Sequence, residues 1–144
     1  MRENFQKAVR FALEKEGYKT NDPKDPGKLT IWGISALYHP IEVAKMAGMG
    51  KEVAYQYASL LYLEKYWLPN RCDLLPYPAD MVVFDIAVNP GVKLVVELKG
   101  TWENYLWQRL AYYSELVRKA PYKLMYLRGW MNRTVELRKL VGER

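Results

Sequence analysis

Three side chains between residues 16 and 30 have the types and order that acid-assisted hydrolysis needs: Glu16, Asp25 and Thr30. A protonated carboxylic acid gives its proton to a leaving group, while a carboxylate and a hydroxyl group position a water molecule opposite it. The acid precedes a loop rich in Pro, Gly and Asp, and the hydroxyl follows that loop. The loop must therefore bring Asp25 and Thr30 to face Glu16.

Glu16 is predicted to end the first helix of the chain, over residues 3–16. Apolar residues recur there at helical spacing, and Glu16 falls near the centre of the same stripe as Phe5. A low-dielectric environment and the negative end of the helix dipole both favour the protonated carboxyl group. The alternative is a helix that ends at Leu13 or Glu14, with Glu16 surrounded by water.

The segment after this helix contains strong turn formers, Asp22-Pro23 and Asp25-Pro26-Gly27. Proline fixes φ and aspartate bonds its own backbone, so the pattern predicts a rigid loop. Residues 29–35 are β-prone and predict a strand or hairpin edge beside a cleft. Trp32 within it has two interpretations: it stacks on a sugar ring, or it packs in the core.

The residues from Glu16 to Ile34 resemble the signature of the glycoside hydrolase family 108 muramidases, approximately E-G-G-Y-x-N-D-P-x-D-P-G-G-x-T-x-x-G-I. One glycine of the first pair is absent, and Lys28 replaces the second glycine of the other pair. Weaker resemblances lie downstream. They are the Tyr62…Tyr66-Trp67 cluster, the run Phe84-Asp85-Ile-Ala-Val-Asn89-Pro-Gly91, Arg109 with Tyr112/Tyr113, and Gly129-Trp-Met-Asn-Arg133.

The resemblance implies a mainly α (α+β) lysozyme-like domain with a short β-hairpin after the first helix. It implies a single domain over residues 1–144, in which a catalytic region (1–90, signature loop 16–34) packs with a C-terminal helical, peptidoglycan-binding region (91–144). It also implies hydrolysis of peptidoglycan between N-acetylmuramic acid and N-acetylglucosamine. The acid would be Glu16, with Asp25 and Thr30 activating water. The implied substrate-binding residues are Tyr18, Trp32, Asn89, Trp130 and Arg133.

Two other functions remain open. A lytic transglycosylase uses a similar acid without a water-positioning carboxylate, and Asp25 argues against it. A non-catalytic wall-binding or secretion-associated module on the same fold is the other, and the three intact candidate catalytic residues argue against that. No DNA- or RNA-binding motif is present, so a nucleic-acid-binding domain is not expected.

The charge is concentrated near the C-terminus. Residues 114–144 hold eight Lys/Arg and three Glu, a net charge of +5 out of the chain's +6. Such a surface suggests a polyanionic partner, namely anionic cell-wall polymer, lipid headgroups or nucleic acid, or else a solubilising surface, and charge alone does not choose among them. Neither a metal nor an organic cofactor is expected, because the single histidine, His39, and the single cysteine, Cys72, have no ligand cluster around them. Cys72 is expected to be a small buried side chain.

The remaining elements are mainly helical. Asp85 lies in an apolar helix and is interpreted as a buried, paired carboxylate, with catalysis as the alternative; Arg133 would hold either such a core acid or a stem-peptide carboxylate. Val92 to Leu98 is ambiguous between strand and helix, and Tyr122 to Leu127 is predicted extended or turn-like. Helices are predicted over Pro40–Met49, 51–67 (packing through Val53, Tyr57, Leu60 and Leu61), Ala79–Val88, Trp102–Arg118 and from Gly129 onward.

Neither a secretory signal nor a transmembrane segment is expected from the sequence. We therefore expect a protein that is made in the cytoplasm and reaches the periplasm and cell wall through another agent. We also expect a monomer. For a phage or prophage endolysin that agent would be a holin.

Overall fold

The computed structural model describes residues 2–21 and 29–142, which form helices with one small sheet. The predicted class, mainly helical with a short hairpin after the first helix, is confirmed. Two compact units are present: the chain up to Ala8 together with the chain from Tyr66 onward, and Val9–Lys65. The helices are α1 (Arg2–Glu16), α2 (Pro40–Ala47), α3 (Lys51–Tyr62), α4 (Ala79–Val88), α5 (Val92–Val95), α6 (Trp102–Lys119) and α7 (Leu124–Gly142).

The Val9–Lys65 unit contains a three-stranded antiparallel sheet: β1 (Lys19–Asn21), β2 (Leu29–Ile31) and β3 (Ile34–Ser35), in that order. Thr30 lies opposite Thr20 on one side and Ser35 on the other. Directly opposed residues point to the same face of a sheet. Thr30 is therefore the middle of a row of three hydroxyl groups.

The other unit is built around α4, whose residues 80–87 are all buried. An interior aromatic cluster joins Phe5, Trp67 and Phe84, with ring centroids 5.4–5.8 Å apart. Helices α6 and α7 pack against each other, and α6 also packs against α4. A helix that is apolar all round requires this kind of enclosure, as the sequence predicts.

Two predictions of detail are wrong. Val53 and Leu60 are 60% and 59% exposed, and α3 is buried instead through Ala54 and Ala58, whose small side chains allow close approach. The last helix begins at Leu124 rather than Gly129. An interior glycine costs a helix only about 1 kcal/mol, which the packing of the following turns outweighs.

The ambiguous segment after residue 91 is helical at Val92–Val95. The described parts of the chain, 2–21 and 29–142, contain no helix with the length and apolarity to cross a membrane. The functional division at residues 90/91 and the single-domain organisation stay predictions.

Candidate active site

Helix α1 extends to Glu16, so the alternative in which it ends at Leu13 or Glu14 does not hold. Gly17 follows with φ +81°, and its N–H bonds to the carbonyl of Leu13 at 2.9 Å. A glycine in the left-handed conformation is a common helix terminator, because other residues adopt it at a cost. Glu16 is half-buried rather than enclosed. The residue thus combines contact with protein and access to solvent.

The turn of the β2–β3 hairpin lies against Glu16. Its two residues, Trp32 and Gly33, have φ +47° and +78°, and positive φ at both positions is what a two-residue type I′ hairpin requires. A Cβ atom on Gly33 would be 2.9 Å from Cγ of Glu16 and would also clash with the Tyr62 hydroxyl. Only glycine fits here, and Glu16 and Tyr62 both border this one point of backbone.

Tyr62 holds the hairpin turn from the side of α3. Its buried hydroxyl donates to the carbonyl oxygen of Trp32 at 3.0 Å. This residue belongs to the Tyr62…Tyr66-Trp67 cluster, yet the sequence pattern did not predict a role for it in the site. Its position in that cluster was the one sequence signal for Tyr62. Only the folded structure shows that its hydroxyl reaches Trp32 in the hairpin turn.

Thr30 lies two residues before the turn in β2 and is half-buried. The hydroxyl row Thr20–Thr30–Ser35 runs across the sheet at this level. Asp25, the third candidate catalytic residue, lies outside the described residues. The structure thus places Glu16 and Thr30 in one unit: Glu16 borders the hairpin turn at Gly33, and Thr30 lies two residues before that turn.

Trp32 is enclosed by aromatic residues and is only 8% exposed. Tyr18 and Tyr55 each lie 5.3 Å from it between ring centroids, and its indole N–H points to the Lys51 carbonyl at 3.4 Å. The Lys51 ammonium lies 5.6 Å from the Tyr18 ring centroid and 5.9 Å from that of Trp32. Burial favours the packing interpretation of Trp32, whereas Tyr18 is half-buried.

Asn89, Trp130 and Arg133, the other three substrate-binding candidates, belong to the unit that contains α4, α6 and α7. Arg133 donates to both oxygens of Asp85, at 3.1 and 2.9 Å. Of its two predicted partners, the structure shows the core acid. Asp85 is 1% exposed, which confirms its interpretation as a buried, paired carboxylate.

A second guanidinium completes this ion cluster. Arg109 is fully buried and donates to Asp85 at 2.9 Å and to the Asn89 carbonyl at 2.6 Å. Burial by itself raises the pKa of Asp85, but the charges and hydrogen bonds of Arg133 and Arg109 outweigh it and hold the pKa below its ordinary value. Asp85 is ionised at neutral pH and joins α4, α6 and α7.

Asn89 and Trp130 are also held by this cluster. The Tyr113 hydroxyl donates to the Asn89 side-chain oxygen at 2.9 Å, and its ring stacks on Trp130 with centroids 4.9 Å apart. Arg109 in turn donates to the Tyr113 hydroxyl at 2.9 Å. These contacts explain why both residues lie where they do; their roles in substrate binding stay predictions. The sequence signal for Arg109 was a positive charge on the packing face of α6. A buried positive charge needs an acidic partner, which here is Asp85.

Metal-ligating side chains are not grouped in the described part of the chain: no three His, Cys, Asp or Glu residues there are close enough to hold an ion.

Comparison with known proteins gives a consistent result. The family profile of Glycosyl hydrolase 108 matches residues 9–91, more than half of the chain. Among solved structures, the chain is similar to SagA of Brucella abortus, with a TM-score of 0.69 and 22% identity over 98% of this chain and 95% of that one. This likeness shows a shared fold. A search of curated proteins finds no matching sequence.

Proposed function

Because this chain belongs to the Glycosyl hydrolase 108 family, we propose that it hydrolyses peptidoglycan as an N-acetylmuramidase. Membership supports glycoside hydrolase activity of the lysozyme type. The bond that we assign is the β-1,4 linkage from N-acetylmuramic acid to N-acetylglucosamine. The assignment depends on one observation above all: a half-buried glutamate that ends α1 with the hairpin turn directly against it.

Glu16 is the general acid in this proposal. It donates a proton to the glycosidic oxygen as the bond from that oxygen to C1 of the muramic acid breaks. Helix α1 fixes its backbone, and Gly33 and Tyr62 border its side chain at the level of Cβ and Cγ. Fixed placement of an acid beside the reacting atom is a large part of catalysis by proximity.

Asp25 and Thr30 complete the reaction. The carboxylate takes a proton from a water molecule whose oxygen attacks C1, and the Thr30 hydroxyl orients that water. The products are a reducing muramic acid end and a free C4 hydroxyl on glucosamine. The proton that Asp25 gains equals the one that Glu16 loses, so exchange with solvent restores the enzyme. Tyr18 is the surface aromatic residue that we assign to a sugar ring.

We further propose the setting of a phage or prophage endolysin, released by a holin into the periplasm to reach the cell wall. A lytic transglycosylase is the nearest alternative activity. It would leave 1,6-anhydro-muramic ends, because an internal hydroxyl takes the place of water.

Product analysis identifies both the glycosidic bond that is cleaved and the nucleophile, water or an internal hydroxyl, that cleaves it. Purified peptidoglycan is digested with the full chain, the fragments are reduced with borohydride, and their ends are identified by mass spectrometry. Reduced muramic acid ends are expected. Anhydro-muramic ends would move the protein to the transglycosylases, and reduced glucosamine ends would mean that it cleaves the other glycosidic linkage.

A further inference from the structure

Helix α7 has a second apolar face, opposite the one that packs in the core. Its buried residues, among them Arg133, Leu137 and Val141, occupy one side. At about 100° per residue, a different set occupies the reverse side. We call that set the α7 stripe; its apolar members are Leu124, Leu127, Met131 and Val135, and three of these four are exposed.

Cations accompany the apolar residues on the same side of the helix. Arg128, Arg138 and Lys139 belong to the α7 stripe by the same angular count, and all three are exposed. The α7 stripe contains no carboxylate. By the same count Glu136 of α7 lies about 60° from Lys139, outside the stripe, and Glu103 of α6 lines a pocket at the C-terminal end of the stripe. The surface is therefore apolar along its centre and positive at its edges.

The same side of the unit carries a pocket between α6 and α7. Its volume is about 370 Å³, and its walls include Leu106, Trp107 and Leu110 of α6 together with Val135. Trp107 is 70% exposed, an unusual state for the largest apolar side chain. Arg138 and Lys139 line the pocket as well, which places two positive charges at an apolar opening.

We propose that the α7 stripe, with Trp107, docks on the surface of an anionic phospholipid bilayer. The headgroups pair with Arg128, Arg138 and Lys139, while the apolar residues enter the boundary between headgroups and acyl chains. Helices that lie in the membrane interface have this composition: Leu and Trp on one side and Lys or Arg beside them. The helix lies flat on the surface, consistent with the absence of a membrane-spanning helix from the described residues.

Charge and apolarity together select this partner. An anionic wall polymer would pair with the cations, but it would leave Leu124, Met131, Val135 and Trp107 without an apolar partner. A second copy of the chain would bring the same three cations together and repel. A bilayer with anionic headgroups satisfies both halves of the surface, because its charge is complementary and it accepts apolar side chains just below the headgroups.

Vesicle sedimentation tests the proposal with the full chain. Vesicles of equal parts phosphatidylglycerol and phosphatidylcholine are compared with vesicles of phosphatidylcholine alone. We expect binding to the anionic vesicles that weakens with salt. The triple variant Arg128→Gln, Arg138→Gln, Lys139→Gln should lose roughly fivefold in partitioning for each charge removed, about a hundredfold in all.

A matched variant removes three exposed cations elsewhere: Lys45→Gln, Lys93→Gln, Lys99→Gln. It has the same net charge as the first and should keep most of the binding. Equal losses in both variants would mean that general basicity binds the vesicles and would overturn the proposal. So would binding that survives in the stripe variant, or wild-type protein that stays in the supernatant.

A second readout reports contact with the acyl chains. Lipids brominated on their acyl chains should quench the fluorescence of bound wild-type protein more than that of a Trp107→Phe variant. Equal quenching would contradict insertion of Trp107. If the stripe variant instead loses binding only to an anionic wall polymer, or alters the sedimentation of the protein without lipid, the surface serves a polymer or a second copy and the membrane assignment is wrong. None of these outcomes depends on glycosidase activity.

Discussion

Gly33 leaves no room for a side chain beside Glu16: a Cβ atom at that position would lie 2.9 Å from the Cγ of the glutamate. The backbone there has φ +78°, and the hairpin turn would have to move for any other residue to fit. Glu16 therefore lies directly against a turn position that only glycine can occupy. The conformation of the hairpin and the position of this candidate acid depend on each other.

Gly33→Ala should therefore reduce both stability and activity. We expect a loss of roughly 2–4 kcal/mol in the free energy of unfolding, from the left-handed conformation and the overlap. The kcat/KM on peptidoglycan should fall about tenfold or more, because Glu16 is displaced. Gly129→Ala is the control, since its helical site has open space and alanine favours helix. If Gly33→Ala melts and reacts like wild type, the close approach does not exist.

Tyr62→Phe removes the hydroxyl that donates to the Trp32 carbonyl. The free energy of unfolding should fall by about 1–2 kcal/mol, because a buried carbonyl loses its donor. The reaction rate should fall further than this loss explains, since Tyr62 also borders the position of Glu16. Urea unfolding measures the change in the free energy of unfolding, and initial rates of peptidoglycan digestion measure the change in activity. Tyr122→Phe, at a site 71% exposed, should change neither; a Tyr62→Phe enzyme with full activity would limit Tyr62 to packing.

Asp85 predicts a specific dependence of stability on acid. Its two arginine partners hold its pKa below the ordinary value in the folded state, so the unfolded state binds more protons in the window below about pH 4. Asp85 therefore stabilises the fold fully above that window, and the contribution is lost as the pH falls through it.

Urea unfolding of wild type and Asp85→Asn across this range isolates the effect. The variant leaves two buried guanidinium groups uncompensated, a loss of about 3–5 kcal/mol at neutral pH. The difference between the two proteins should shrink as acid protonates Asp85. A difference that stays constant down to the lowest pH would show that Asp85 does not titrate with folding.

Cys72 should be unreactive in the folded protein. It is fully buried, and burial together with the nearby Asp80 and Asp73 raises its pKa to about 12. Since the thiolate is the reacting species, a thiol reagent at mildly alkaline pH should label the native chain very slowly and the urea-unfolded chain quickly. Rapid labelling of native protein would mean that this region opens.

Much of the fold followed from local pattern. The helical spacing of residues 3–16 predicts α1 to its last residue, and the run at 79–88, apolar apart from Asp80 and Asp85, predicts the buried helix α4. The paired state of Asp85 followed as well, because a buried carboxylate needs a partner. These features depend on spacing within one element, which the chain displays directly.

Other features depend on contacts between elements. Hydrophobicity favoured Val53 and Leu60 on α3, whereas Ala54 and Ala58 are buried, since close approach selects small side chains. Arg109 was visible as a charge on the packing face of α6, but its pairing with Asp85 spans 24 residues. The position of Tyr62 beside Glu16 likewise exists only once α1, the hairpin and α3 have packed.

The proposed role of Glu16 as the general acid has a direct kinetic test. Initial rates of reducing-end release from purified peptidoglycan are measured for wild type, Glu16→Gln and Glu14→Gln. Glu14 lies on the same helix, two residues earlier, and is exposed, so it is the matched control. The role of Glu16 as general acid predicts a loss of about 100-fold or more for Glu16→Gln with its melting temperature nearly unchanged, and wild-type rates for Glu14→Gln. A Glu16→Gln enzyme that cleaves at the wild-type rate would contradict it.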